Sequence, residues 1–348
     1  PAASGRRDIA LRESVLRFIG RRLLLMLLVI VGMSVITFAL THVVPGNPAR
    51  LMAGPHARQA EVDALAARYH LNGPIVEQYA VYMGGLLHGD LGLSITTRRP
   101  VVDDLRQYLP ATLELTIAAL ALTLVIGLPL GMLSAVRHGR PLDHLSRVFA
   151  IVGVSMPVFW LGLVLQVLFY KKLSLLPVGG RLDALDITPP TVTGSYLIDS
   201  LLARDPTLFG AAFMHLILPA ATLAIGSLAI VTRMSRASLL ETLNADYVRT
   251  ARAKGLPEGR LLRTHVLKAA FIPVLTVIGL QVGYLLAGNF LVETVFNWPG
   301  IGLYAVDAIS NLDYAAIMGV TLVVSVIYVL TNLVVDILYA VLDPRIGY

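Results

Sequence analysis

The 348-residue chain contains no cysteine. That absence excludes disulfides, thiolate metal centres and cysteine nucleophiles together, and leaves open which compartment each loop faces. Charge is scarce as well: Asp, Glu, Lys and Arg supply 14% of the residues, where soluble proteins carry about a quarter. The short signatures of chemistry are missing too. The sequence has no GxxxxGK(S/T) phosphate loop, no HExxH and no Gly-x-Ser-x-Gly. Nor do paired ionisable residues fall inside apolar runs, as an intramembrane protease or an ion-coupled carrier would need. Glu114 and Asp336 are the nearest approach to a pair, and they lie near opposite ends of their runs.

What the chain has in excess is apolar residues, 56% of the total. One soluble core cannot hide so many, which predicts an all-α integral membrane protein. The first apolar run, 23–44, follows Arg21-Arg22 and a segment, 1–22, with six Arg and two acids. It is longer than the ~7–15-residue core of a cleaved signal peptide, so it reads as an anchoring helix with its basic end inside. Five further runs are expected to cross: 111–136, 148–170, 216–232, 272–292 and 315–341. Six transmembrane helices put both the N and C termini in the cytoplasm, with 1–22 and 342–348 as tails. The basic residues agree: predicted inner segments hold 18 Lys and Arg, while the longer outer segments 45–110, 171–215 and 293–314 hold 10, matched by acids. In the first outer loop an amphipathic helix is expected over roughly 58–85, ahead of GDLGLS at 89–94.

Within the runs, Pro157 interrupts 148–170, a break tolerated where neighbouring helices or a cavity satisfy the freed carbonyl. Pro129, between Gly127 and Gly131, suggests a kink inside a small-xxx-small face. Gly279, Gly283 and Ala287 recur every four residues as a close-packing face, with Gln281 and Asn289 off it. Pro157, Gly279, Gln281, Gly283 and Asn289 are therefore the candidates for lining or packing a path. Glu114 reads either as a relay carboxylate or as an interfacial one in the first turn of its helix. His138 and His144 have no companion at ligand spacing, which makes them solvated loop residues rather than a metal site.

The segment 233–271 is the longest basic interruption, with eight Lys and Arg against three acids between 233 and 268. Charge alone allows two readings: bare positive-inside orientation, or a docking surface. Length and pattern favour the second. The loop reads as two short helices broken at Gly255-Leu256-Pro257, with Ala251, Gly255 and Leu256 small or apolar where a solvated loop is polar. Ala251, Gly255 and Leu256 are thus the expected surface of approach, with Gly255 as the point of close approach. If the protein pumps, its energy comes from another chain.

At these residues the chain resembles a known family, the permease subunits of binding-protein-dependent ABC importers of the dipeptide/oligopeptide group. DYVRTARAKGL (246–256) is similar to that family's cytoplasmic coupling loop, the EAA loop. It departs from the general pattern in lacking the Glu before Thr250-Ala251, and Pro273 lies eighteen residues beyond Gly255. Other matches follow in the family's order: RRLL (21–24), FALTHVVPGNPA (38–49), HGDLGLS (88–94), PATLEL (110–115), SMPVFW (155–160), LLPVGGR (175–181), HLILPA (215–220), RMSRASLLE (233–241), the long stretch 277–302 and the terminal DPR (343–345). The resemblance covers the chain from about residue 17 to its end.

The resemblance implies a type I ABC importer permease fold in the bacterial inner membrane. It implies a second, homologous permease sharing one path, and two ATPase subunits that bind ATP and Mg and dock on 249–256. An extracytoplasmic peptide-binding protein would deliver cargo to the outer loops, where Arg98, Arg99 and Arg181 offer positive charge. On this reading the chain is non-catalytic, binds no cofactor or metal of its own, contacts the lipid bilayer and takes no nucleic acid. Similar permeases carry dipeptides, longer peptides, glutathione and nickel chelates.

Overall fold

The structure, a computed structural model, describes residues 20, 22, 24–39, 49–50, 57–68, 73–183 and 185–342. The expected N-terminal tail, most of FALTHVVPGNPA and the terminal DPR lie outside the described residues. Those described are helical, with no β-strand and one isolated antiparallel bridge, Leu93 to Pro100. In chain order the helices are α1 (Leu24–Ala39), α2 (Gln59–Arg68), α3 (Ile75–Leu87), α4 (Val101–Val136), α5 (Pro141–Ser155), α6 (Val158–Lys172), α7 (Tyr196–Leu202), α8 (Pro206–Leu243) and α9 (Asp246–Ala253). Next comes α10, which runs from Glu258–Leu261 through a wide π-turn at Leu262–Val266 into Leu267–Val295. It is followed by α11 (Ile301–Ser310) and α12 (Tyr314–Leu342).

Four of these, α4, α8, α10 and α12, contain stretches long and apolar enough to cross a membrane, and α5 with α6 makes a fifth if counted as one span. The run 148–170, expected as one span interrupted at Pro157, is two helices bent by 109° at Met156-Pro157. Pro157 has no N–H to continue the ladder, and Met156 and Pro157 are both extended, so α5 stops and α6 starts afresh. The amphipathic helix expected over 58–85 is likewise two helices, α2 and α3, parted ahead of Pro74. The helices also outrun the apolar windows. α8 is 38 residues long, about 57 Å at 1.5 Å per residue. Its start is fixed by Asp205, whose side chain accepts the N–H groups of Thr207 and Leu208 at 3.0 Å, and by Pro206 in the first turn.

The chain divides into two compact units. One gathers the described residues up to Gln107 with Tyr304–Leu333. In it α1 meets α3 through aromatic contacts: Phe38 lies edge-on to Tyr79 at 5.2 Å and stacked on Tyr82 at 5.9 Å. The HGDLGLS motif forms a tight loop in which Gly89 and Gly92 are left-handed and Asp90 accepts the Gly92 N–H. The loop is tied down by two buried carboxylates. Asp313 accepts from the Ser94 hydroxyl at 2.5 Å and the Thr96 N–H at 3.0 Å. Asp104 accepts from Thr97 and from the Tyr304 hydroxyl.

The other unit comprises Tyr108–Leu303 and the chain from Val334. Here α8 is the central post. α4 lies against it through the glycine pair: a Cβ at Gly127 would sit 3.2 Å from the Leu228 carbonyl, and one at Gly131 2.5 Å from that of Thr232. The expected kink at Pro129 takes the form of a π-turn, Thr123–Gly127, immediately ahead of it. On another side α8 packs on α10, with Val231 against Val274 and Ile278 and a buried hydrogen bond from Ser227 to Gln281. The turn after α10 folds back on α4: Trp298 donates to the Ala111 carbonyl, and buried Glu293 accepts from Thr112 and the Leu303 N–H.

The segment between α6 and α8 is pinned by an ion pair that sequence reading did not anticipate. Arg181 and Glu114 are both nearly buried and meet at 2.5 Å. Ser195 and the Leu197 N–H donate to the other Glu114 oxygen, and Arg181 stacks over the Tyr196 ring at 3.6 Å. Glu114 is therefore a buried anchor well inside a helix that begins at Val101, not a residue of that helix's first turn. Arg181 is not a free positive point for a receptor: its charge is spent on Glu114. Nearby, Asp199 is buried, which alone would raise its pKa. The N–H groups of Thr193, Gly194 and Val192 and the Thr193 hydroxyl outweigh this and hold the carboxyl below its ordinary range.

Candidate functional site

The segment 246–261 forms a helical hairpin: α9, a turn at Lys254–Pro257, and the first turn of α10. Its conformation follows from local chemistry. α9 ends in a Schellman motif: the Gly255 N–H bonds the Arg252 carbonyl at 2.9 Å and the Leu256 N–H bonds that of Ala251 at 3.2 Å. This needs a left-handed residue after the last helical turn, and Gly255 supplies it with φ +77°. Pro257, extended, then opens α10, with Glu258 in the first turn where the helix dipole favours an anion. Arg252 reaches across the turn to Glu258, Nε to Oε1 at 2.7 Å and Nη2 to Oε2 at 3.4 Å.

One face of the hairpin is packed. Val248 and Leu261 are fully buried with Ala135 of α4, Leu239 of α8 and Val266 and Ala270 of α10, and Ala251 lies against the same cluster. The Ser238 hydroxyl donates to the Ala270 carbonyl at 2.8 Å and fastens α8 to α10 beneath it. The opposite face is open: Tyr247, Arg249, Thr250, Arg252, Ala253, Lys254 and Gly255 are exposed. With Glu258 matched to Arg252 and Asp246 lying 3.6 Å from Arg249, the net charge of this face is positive, from Lys254, Arg260 and Arg263.

All eight residues expected at the docking loop are thus on this one hairpin, but not in one role. Ala251 belongs to the packed side and Leu256 is half-buried, while the other six face outward. Among the described residues nothing beyond its chain neighbours lies within 4 Å of a Cβ built on Gly255, so among them the glycine serves a backbone angle, not a tight fit. The remaining candidates are dispersed. Pro157 sits at the α5–α6 break. Gly279 packs on Val335, where a Cβ would come within 2.8 Å. Gln281 and Asn289 are buried and bridge helices, the first accepting from Ser227 and the second donating to Thr116 at 2.6 Å. Gly283 is half-buried.

A polar knot next to the hairpin escaped the sequence reading. Asp143, fully buried at the start of α5, accepts from Arg236 Nε at 2.5 Å and Nη2 at 3.0 Å, from Ser134 at 2.7 Å and from the Gly139 N–H at 3.0 Å. It ties α4, α5 and α8 together below their apolar stretches. His138 joins it, 3.1 Å from Arg236 Nη2. Among the described residues no group of three His, Cys, Asp or Glu could hold a metal ion. What the arrangement offers is a basic, exposed hairpin rooted on three long helices.

Comparison with known proteins places these features in context. Residues 127–348 match the family described as binding-protein-dependent transport system inner membrane component, and residues 15–116 match its N-terminal counterpart. The probable D,D-dipeptide transport system permease protein DdpB of Escherichia coli (strain K12) is 53% identical over 92% of this chain and 95% of its own. The dipeptide transport system permease protein DppB of Alkalihalophilus pseudofirmus is 45% identical over 96% of this chain and all of its own. Among solved structures, the MetNI methionine ABC transporter in an inward-facing conformation aligns with a TM-score of 0.48 at 19% identity, over 67% of this chain and 93% of that one.

Proposed function

Because the chain belongs to the family of binding-protein-dependent transport system inner membrane components, we propose that it lines the translocation path of an importer for dipeptides and short oligopeptides, moved through the 249–256 hairpin. It is a multi-pass inner-membrane permease of an ABC transporter and not an enzyme; the ATPase is on a separate subunit. The proposal adds a topology of six spans with both termini cytoplasmic, in which the hairpin faces the cytoplasm and 171–215 faces outward. It adds the partners: a second homologous permease, two ATPase subunits carrying ATP and Mg, and an extracytoplasmic peptide-binding protein.

The observation that carries this reading is the two-sided hairpin, buried by Val248 and Leu261 and basic on its free face. A loop that merely orients a helix needs no such seat. The names of the two relatives support a dipeptide cargo. The test is uptake of a labelled dipeptide into vesicles holding this chain with and without its partners. Uptake should require the ATPase subunits, ATP and the binding protein. Uptake by this chain alone would refute the reading.

A further inference from the structure

The α5–α6 break leaves backbone groups bare. α5 ends at Ser155 and α6 begins at Val158. Among the described residues nothing donates to the carbonyls of Gly153, Val154, Ser155 or Met156, and the N–H groups of Val158, Phe159 and Trp160 find no acceptor. Pro157 has no N–H to offer, and the Ser155 hydroxyl turns back to the Ile151 carbonyl at 2.8 Å instead of capping the break.

The depth of the break is fixed by its packed side. A Cβ on Gly153 would lie 3.1 Å from Ala229 and 3.4 Å from the Ile225 carbonyl, and one on Gly162 would lie 3.3 Å from Thr222. Thr222, Ile225 and Ala229 occupy the central turns of α8. The break is therefore level with the middle of the longest span. On its other side Val154, Ser155, Pro157, Phe159 and Trp160 are exposed.

Hydrocarbon cannot satisfy those carbonyls and amides, and irregular backbone at membrane depth persists only where protein buries it or water reaches it. The described residues do not bury it. A dry subunit interface would need side chains placed to answer both the carbonyls and the amides. Water answers both kinds without design, and so does a passing peptide, whose own N–H and C=O groups are complementary. We propose that the open side of the Val154–Trp160 break is a water-exposed wall of the translocation path, where freed main-chain groups stand in for solvent as a peptide passes. This rests on the pore-subunit reading above and assigns the path to a specific element of this chain.

The absence of cysteine makes the test direct. Ser155→Cys and Phe159→Cys are introduced singly into the full transporter, its other subunits freed of reactive thiols, and treated with a charged methanethiosulfonate. Ala150→Cys, on the buried face of α5, is the control. The two break positions should react about tenfold or more faster than the control, since a charged reagent is excluded from hydrocarbon. Saturating dipeptide should slow both. No reaction in any nucleotide state, or reaction only with a lipid-soluble maleimide, overturns the proposal. ATP-dependent uptake is measured on the same variants. Uptake retained without labelling sinks this inference alone, whereas uptake independent of the ATPases sinks the pore-subunit reading itself.

Discussion

Replacing Gly255 by valine should loosen the hairpin without touching the membrane spans. The residue sits at φ +77°, a conformation that costs an L-residue roughly 1–2 kcal/mol, with a β-branched side chain at the upper end. If the turn opens instead, the bonds from Gly255 and Leu256 to Arg252 and Ala251 are lost. Each contributes at most about 0.5–1.5 kcal/mol, less at an exposed turn. Either route penalises the closed hairpin by about 2 kcal/mol, a shift of roughly 30-fold in its population. Asparagine tolerates the left-handed region and should cost well under half as much. The Cβ itself meets nothing among the described residues, so the reason for glycine there is the backbone angle. Hydrogen exchange at the Leu256 amide reads the hairpin directly, and dipeptide taken up per ATP hydrolysed reads its use. Valine should speed exchange and lower the transport ratio, arginine should do both more severely, and asparagine should do little. If valine leaves Leu256 protected, the turn argument is wrong. If asparagine uncouples transport while Leu256 stays protected, the glycine serves the approach of a partner and not the chain's own fold.

The Glu114–Arg181 pair gives a second prediction. Arg181→Met leaves a buried carboxylate unpaired and should destabilise the purified protein by about 3–5 kcal/mol, read as a fall in thermal midpoint. The double change with Glu114→Gln should recover much of that loss, and a binding-protein docking defect without a stability defect would contradict the burial of Arg181. Asp199 predicts a pH dependence. Its folded pKa is lowered, so its contribution is fully present above the ordinary Asp value of about 3.9 and fades as pH falls through the lower folded value. Proteolytic nicking at 183–195 should therefore stay low from neutral pH down to about 4 and rise below it, while Asp199→Asn should raise nicking at neutral pH; a flat profile in both would refute the assignment. Gly279→Leu should push α10 away from Val335, where even a Cβ comes within 2.8 Å. Overpacking of this kind costs about 1–3 kcal/mol, and unchanged stability would show that the contact yields freely.

What the sequence revealed was local. The helical class and most spans follow from apolar runs, and the hairpin follows from Gly255 and Pro257, whose backbone demands act within a few residues. The long reach of α8 was hidden at its two ends for different reasons. Arg233–Leu243 is polar enough to fall outside an apolar window, whereas Pro206–His215 is largely apolar but set off from the run by His215, and both are helical through capping and packing. Pro157 announced a break but not its 109° bend, because the angle is set by how Gly153 and Gly162 seat against α8. The pairs Glu114–Arg181 and Asp143–Arg236 join residues 67 and 93 positions apart, and no periodicity or spacing rule brings such partners together. Gln281 and Asn289, candidates for lining or packing a path, each hydrogen-bond a neighbouring helix, at Ser227 and Thr116, and no spacing rule names those partners.

The seat of the hairpin has a mechanical consequence. Val248 and Leu261 share one close-packed cluster with side chains of α4, α8 and α10, and such interiors compress very little. A load applied at the exposed face of α9 is therefore not absorbed at its base but divided among three long rods at once. The π-turn at Leu262–Val266, where α10 enters its long apolar run, belongs to that seat, because Val266 is buried in the same cluster. Rooted in this way, the hairpin would pass a push to α4, α8 and α10 together, with α4 and α8, joined by their glycine contacts, moving as a single beam.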